Sequence, residues 1–127
     1  VDDKDPRIIY SAGGWTEAGA LGFECDTTSH GSNGANATAT FSFNGVAVQV
    51  FGTVSANSSP MSTYQVDGLP ATMYIFNATG QTTYRVQFYT SPLLSTGNHT
   101  LIITALENDN FRLWLDYVLY YPSSNVL

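Results

Sequence analysis

The segment TATFSFNGVAVQVF, residues 38–51, alternates apolar and polar side chains more strictly than any other part of the chain. Ala39, Phe41 and Phe43 fall on one face of an extended strand, and Thr38, Thr40 and Ser42 on the other. Asn44-Gly45 interrupts the run, and Asn-Gly is the strongest short hairpin signal. Val46, Val48 and Val50 then resume the apolar face. A two-residue turn would pair Phe43 with Val46, Phe41 with Val48 and Ala39 with Val50, so that the two apolar faces coincide. The expectation is a β-hairpin closed at Asn44-Gly45.

Other segments share the period. STYQVDGLPATMYIF, residues 62–76, reads as a second hairpin that turns at Asp67-Gly68 and ends at Pro70. Residues 84–89 place Tyr84, Val86 and Phe88 inward, residues 99–106 form a further strand, and residues 7–10 form a short first one after Pro6. The last strand, 112–121, is apolar on both faces around a single carboxylate, Asp116, and is therefore placed centrally in a sheet. Residues 18–36 are rich in Gly and Asn and read as one long loop. No helical period is sustained over three turns. Roughly eight short strands point to an all-β fold, an antiparallel β-sandwich or jelly roll, with residues 1–127 as one domain.

Charge narrows the partners. Net charge is −6, and the four basic residues, Lys4, Arg7, Arg85 and Arg112, cannot build a phosphate-tracking patch. Nucleic acid is excluded and an anionic membrane surface disfavoured, which leaves a neutral glycan or a protein. Only 11% of residues are charged, and Ser, Thr, Asn and Gly supply the polar surface. That profile suits an extracellular domain, secreted or at the cell surface. Cys25 is the sole cysteine, so no internal disulfide forms. The chain starts at Val1, as expected of a processed or excised piece, and carries no apolar run that would insert into a membrane. Asn36, Asn57, Asn77 and Asn98 open N-x-[ST] sequons and are glycan acceptors if the chain is a secreted glycoprotein.

Catalytic constellations are missing. There is no G-x-S-x-G elbow, and His30 and His99 stand far apart with no nucleophile at an informative spacing. His99, at the start of a strand, reads as structural. Zinc would need more N/S ligands than the chain offers. Glu17, Glu24, Asp26, Asp67, Glu107 and Asp109 fall mostly in turns and loops, where a solvated carboxylate is the plain expectation. The chain therefore reads as non-catalytic. Asp116 is the exception, because a charge inside a buried strand must be paired or bind metal. In a jelly roll the first and last strands are commonly neighbours, which brings the N-terminal acids toward it. Two readings stand open. Asp2, Asp3, Asp5 and Asp116 together hold a structural Ca²⁺, which takes six to eight oxygen ligands; or Arg7 pairs with Asp116 and no metal is needed.

Sugar recognition requires aromatic faces for stacking and planar polar groups for hydroxyls. Trp15 and Glu17 in GGWTEAG offer both, as do Asn108, Asp109, Asn110 and Phe111 before the last strand. His30 and Tyr89 are placed on the same rim. The plain alternatives are a core plug for Trp15 and a polar turn for residues 107–110.

DDKDPRIIYSAGGWT, ATFSFNGVAVQVFGT, TYQVDG, SPLLSTGNHTLIIT and LWLDYV follow one another along the chain. In that order the sequence resembles the galactose-binding-like jelly-roll ectodomains of fungal surface and secreted proteins, which are similar in fold to carbohydrate-binding modules. The most specific pieces are Gly97-x-His99-Thr100-Leu101 and Leu115-Asp116-Tyr117. The resemblance implies an extracellular β-sandwich and, at the position of Asp116, a ligand of a structural Ca²⁺. The N-terminal ligand of such modules is often Glu, where this chain offers Asp. The resulting expectation is a non-catalytic, lectin-like glycan-binding module. The alternatives are an adhesion or receptor ectodomain that binds protein, and an accessory domain of a glycoside-active enzyme.

Overall fold

A computed structural model of the chain describes residues 1–18, 29–32, 36–56, 59–77, 79–106 and 113–123. Nine strands form among them: β1 Ile8–Tyr10, β2 Trp15–Ala18, β3 Ser29–Ser32, β4 Ala37–Val54, β5 Met61–Val66, β6 Thr72–Ile75, β7 Thr83–Thr90, β8 Asn98–Ala105 and β9 Trp114–Pro122. All their pairings are antiparallel.

The 18-residue β4 organises the sandwich. Its first half, through Asn44, lies between β1 and β8, with Phe41 opposite both Ile8 and Leu101. Its second half lies between β9 and β7, with Val50 opposite both Val118 and Tyr89. One sheet is thus β1-β4-β8-β5-β6 and the other β2-β3-β9-β4-β7, and β4 passes from the first to the second at Asn44-Gly45.

This corrects the first expected hairpin. Asn44-Gly45 is a corner within one strand, and neither residue has the positive φ that a type I′ turn demands. A strand that crosses from one sheet to the facing one keeps its apolar side on the shared core, so its alternation matches that of a hairpin. Gly45 is needed for a different reason: a Cβ there would lie 2.5 Å from the Tyr121 carbonyl oxygen. The register also slips between Gly45 and Ala47, which takes Val46 out of the buried set. The second hairpin forms as expected, β5 against β6 with Met61 opposite Ile75 and Asp67 at φ 51 in the turn.

The long-loop reading of residues 18–36 is also corrected, since β3 lies within it. Ser-His-Gly-Ser carries no apolar signal, yet Ser29, Gly31 and Ser32 are buried beside β9. The Trp114 ring covers Gly31, where a Cβ would come within 2.5 Å of it. The last strand is central, as its apolar faces imply, with β3 on one side and β4 on the other.

Phe41, Val48, Val50, Tyr64, Leu101, Leu115 and Val118 are fully buried in one core. The Tyr64 hydroxyl is satisfied inside it by Ser62 Oγ at 2.7 Å. Tyr89 belongs to this core as well: it is 8% exposed and stacks on Tyr64 with ring centroids 5.1 Å apart. Its expected place on a binding rim is therefore corrected. On β7 the register shifts between Val50, opposite Tyr89, and Phe51, opposite Gln87; Phe88 is the extra residue, and this turns Tyr89 inward beside it.

Candidate functional site

The N-terminal residues add a short antiparallel strip to β9. The Val118 N–H donates to Val1 O at 2.8 Å, Asp2 bridges Tyr117, and the Asp3 N–H donates to Asp116 O at 2.9 Å. The N-terminal acids thus reach Asp116 as the sequence predicts, although the first strand, β1, pairs with β4 and not with the last strand. Asp116 owes its position to a β-bulge. Phe51 lies opposite Tyr117 and Gly52 opposite Leu115, which makes Asp116 the extra residue of β9. Gly52 makes the bulge possible, because a Cβ there would be 2.0 Å from Trp114 O and 2.4 Å from the Phe88 ring.

The strip and the bulge together gather three carboxylates. One oxygen each from Asp2, Asp3 and Asp116 lies within 4.8 Å of the others, and Asp3 and Asp116 are fully buried. Asp5 stays outside this group. It is bonded to Arg7, through Nη2 to Oδ2 at 3.0 Å, Nε to Oδ1 at 3.1 Å and the Arg7 backbone N–H to Oδ1 at 2.9 Å. The Arg7 side chain and backbone hold the Asp5 carboxyl below the usual range, and Asp5 with Tyr120 pushes the guanidinium up. The guanidinium also lies 5.7 Å from the Tyr120 ring centroid and 5.8 Å from that of Phe41. Arg7 is thus committed to Asp5 and Tyr120, and the alternative of an Arg7–Asp116 pair is corrected.

A surface patch stands on the carboxylate cluster. His30 Nδ1 donates to Asp3 Oδ2 at 2.7 Å, and its ring stacks on Tyr10 at 4.0 Å. Its Nε2 lies 3.9 Å from Glu17 Oε2, and Glu17 Oε1 lies 3.5 Å from Lys4 Nζ. Glu17 and His30 are partners across the β2–β3 register, so both point to one side. The Tyr10 hydroxyl donates to Asp3 O at 2.6 Å. Burial, reinforced by the charges of Asp3, Asp2 and Glu17, pushes that phenol well above its ordinary range. Trp15 is half-buried; its Nε1–H donates to Thr38 O at 2.9 Å and its ring meets Tyr10 edge-on at 5.1 Å. It serves as a plug against the core and borders the patch.

Of the residues singled out from sequence, Trp15, Glu17 and His30 come together, and Asp2, Asp3 and Asp116 lie beneath them. Asn108, Asp109, Asn110, Phe111, Asn57 and Cys25 lie outside the described residues. Asn36, Asn77 and Asn98 are exposed. Lys4 and Tyr10 went unnoticed as site residues. The one available signal for Tyr10 was its position at the end of IIY, the strand that continues from the acidic start.

No protein-family model matches the sequence, and no curated protein sequence matches it either. Solved structures do match its fold. A family 35 carbohydrate-binding module from Clostridium thermocellum aligns over 95% of this chain and 96% of its own, at TM-score 0.65 and 15% identity. A family 6 carbohydrate-binding module aligns over 97% and 92%, at TM-score 0.59 and 12% identity. A family two carbohydrate esterase from Cellvibrio japonicus covers all of this chain at TM-score 0.63 and 17% identity, but the chain spans only 35% of the esterase. The chain has the jelly-roll fold of carbohydrate-binding modules.

Proposed function

We propose that this chain is a non-catalytic, extracellular carbohydrate-binding module, with a neutral glycan as ligand and a structural Ca²⁺ at Asp2, Asp3 and Asp116. The observation that carries the proposal is the polar patch of Lys4, Glu17 and His30 bordered by Trp15, standing on the buried carboxylate cluster. The fold shared with carbohydrate-binding modules supports it. Glu17 accepts hydrogen bonds from sugar hydroxyls, Lys4 donates to them, and the Trp15 ring edge offers apolar contact. Asp3 fixes the His30 ring by holding Nδ1–H, which leaves Nε2 for the ligand side.

The donor set suits calcium. Three clustered carboxylates are hard oxygen ligands of the kind Ca²⁺ selects, and main-chain carbonyls and water complete such shells. Bound there, the ion would cross-link the N-terminal strip to β9 and neutralise the acids under His30. A neutral-glycan array followed by calorimetry tests the sugar proposal. Binding that is lost in Glu17→Gln supports it; no binding to any glycan by folded, calcium-loaded protein overturns it.

A second reading, a protein-binding ectodomain, is favoured by one surface. On the outer face of the β1-β4-β8-β5-β6 sheet, Ile9 and Ile102 flank Thr40 in register and are 63% and 36% exposed. Met73, 56% exposed on β6, extends that face. Ile102→Asp would abolish partner capture under this reading and leave glycan binding intact.

A further inference from the structure

Two sequence motifs untouched by the proposed function meet at the other end of the sandwich. Asp67 of the β5–β6 turn faces His99 of the Gly97-x-His99-Thr100-Leu101 segment. His99 is 8% exposed and lies opposite Phe43, close to the β4 corner. Its Nδ1 lies 2.6 Å from Asp67 Oδ2, and its Nε2 lies 2.6 Å from Ser95 O. A carboxylate and a carbonyl are both acceptors, so each contact requires an N–H on the ring. A ring with both is an imidazolium.

The surroundings fit a held charge. Asp67 Oδ1 accepts the Thr100 N–H at 2.9 Å, and the Asp67 N–H donates to Thr100 O at 2.9 Å, so the carboxylate is fixed from two sides. From β4, the Phe43 ring lies 5.8 Å from that of His99, and no charged side chain of β4 or β8 faces it among the described residues. Leu69, Leu93 and Leu94 line a recess of about 430 Å³ between the β5–β6 turn and the β7–β8 loop, with Asp67, Ser95 and His99 in its wall. The loop is anchored on either side of Ser95, by the Leu94 N–H on Val46 O at 2.6 Å and by Gly97 O on the Gly45 N–H at 3.0 Å. Only the short stretch Ser95–Thr96 therefore depends on His99.

We propose that His99 is a proton-operated latch: as an imidazolium it ties the β5–β6 turn and the β7–β8 loop to β8, and loss of its proton releases Ser95–Thr96 and opens the recess. A neutral ring keeps one N–H. The Asp67 charge retains it, so the Ser95 carbonyl would face a nitrogen lone pair at the present spacing and move away. The hydrogen bonds to Asp67 and Ser95 also hold the His99 pKa above its ordinary value.

Nitrogen-detected NMR of the ¹⁵N-labelled wild-type chain between pH 5 and 9 tests this. Both His99 ring nitrogens should carry protons at the acid end. The Ser95 and Thr96 backbone resonances should shift with the His99 midpoint, and their ¹⁵N order parameters should fall above it, as the Ser95 carbonyl loses its hydrogen bond. Asp67→Asn should shift that midpoint downward. A single ring proton throughout, or a His99 titration that leaves Ser95 and Thr96 unchanged, would overturn the proposal.

Discussion

Asp3 and Asp116 are both fully buried, and the backbone N–H of the first donates to the carbonyl of the second at 2.9 Å. Their carboxylates converge with that of Asp2. Like charges held this close raise the cost of folding unless a cation is shared. Calcium added after chelation should therefore raise the thermal midpoint. At a hundred times Kd the gain is about 2.7 kcal/mol, or roughly 5–15 °C for a domain of this size. Asp116→Asn should abolish the response, while Arg7→Ala should preserve it because Arg7 is bonded to Asp5. A calcium response that survives Asp116→Asn would place the ion elsewhere.

The bulge that sets Asp116 in place depends on Gly52. An added Cβ would meet Trp114 O at 2.0 Å, and a backbone atom cannot yield as a side-chain tip does. Gly52→Ala should cost about 1–3 kcal/mol, the range for overpacked cores, and lower the urea midpoint. Gly68→Ala, where a Cβ meets nothing within 4 Å, should stay within about 0.5 kcal/mol. Equal effects from both would show that the β9 bulge tolerates a side chain.

Much of this was legible from period and turn chemistry. Asp67-Gly68 announced a turn and delivered one, because Asp67 adopts the positive φ that Asp tolerates. Asn44-Gly45 offered the same signal and became a corner, since alternation reports which face is buried but not whether the chain reverses. Ser29–Ser32 carries no such signal, because its strand pairs with β9 and Gly31 lies against the Trp114 ring, contacts between residues far apart in sequence. Asp116 stood out as a charge in an apolar strand, and the acidic start supplied its neighbours. What sequence could not apportion was the role of each acid: Asp5 reads like Asp2 and Asp3 until Arg7 folds back on it.

Stability should follow pH through the Asp67–His99 pair. His99 is raised from 6.5, so its contribution is complete below about pH 6.5 and lost as pH rises through its folded pKa. Asp67 is lowered from 3.8, chiefly by His99 and then by the Thr100 N–H, so its contribution is present above about pH 3.8 and lost as pH falls through its folded pKa. The pair is therefore worth most between those limits. Chemical denaturation across pH should show the wild-type advantage over His99→Gln largest near pH 5–6 and smaller on both sides. An advantage that does not vary with pH would mean that His99 contributes packing alone.

Glu17 separates binding from architecture more cleanly than its neighbours do. Trp15 donates to Thr38 O and packs on Tyr10, and His30 satisfies the buried Asp3, so changes at either disturb the fold as well as the patch. The Glu17 side chain is 51% exposed and, among the described residues, forms ion pairs with Lys4 and His30 at 3.5 and 3.9 Å, contacts of the solvent-screened kind that add little stability. Glu17→Gln should leave the melting temperature within about 1–2 °C, as surface changes do. It should also weaken glycan binding by at least roughly tenfold, since a charge-assisted acceptor for sugar hydroxyls is replaced by a neutral amide. Calorimetry against the best array ligand measures both the affinity and its calcium dependence. Unchanged affinity in Glu17→Gln would move the sugar site off this patch.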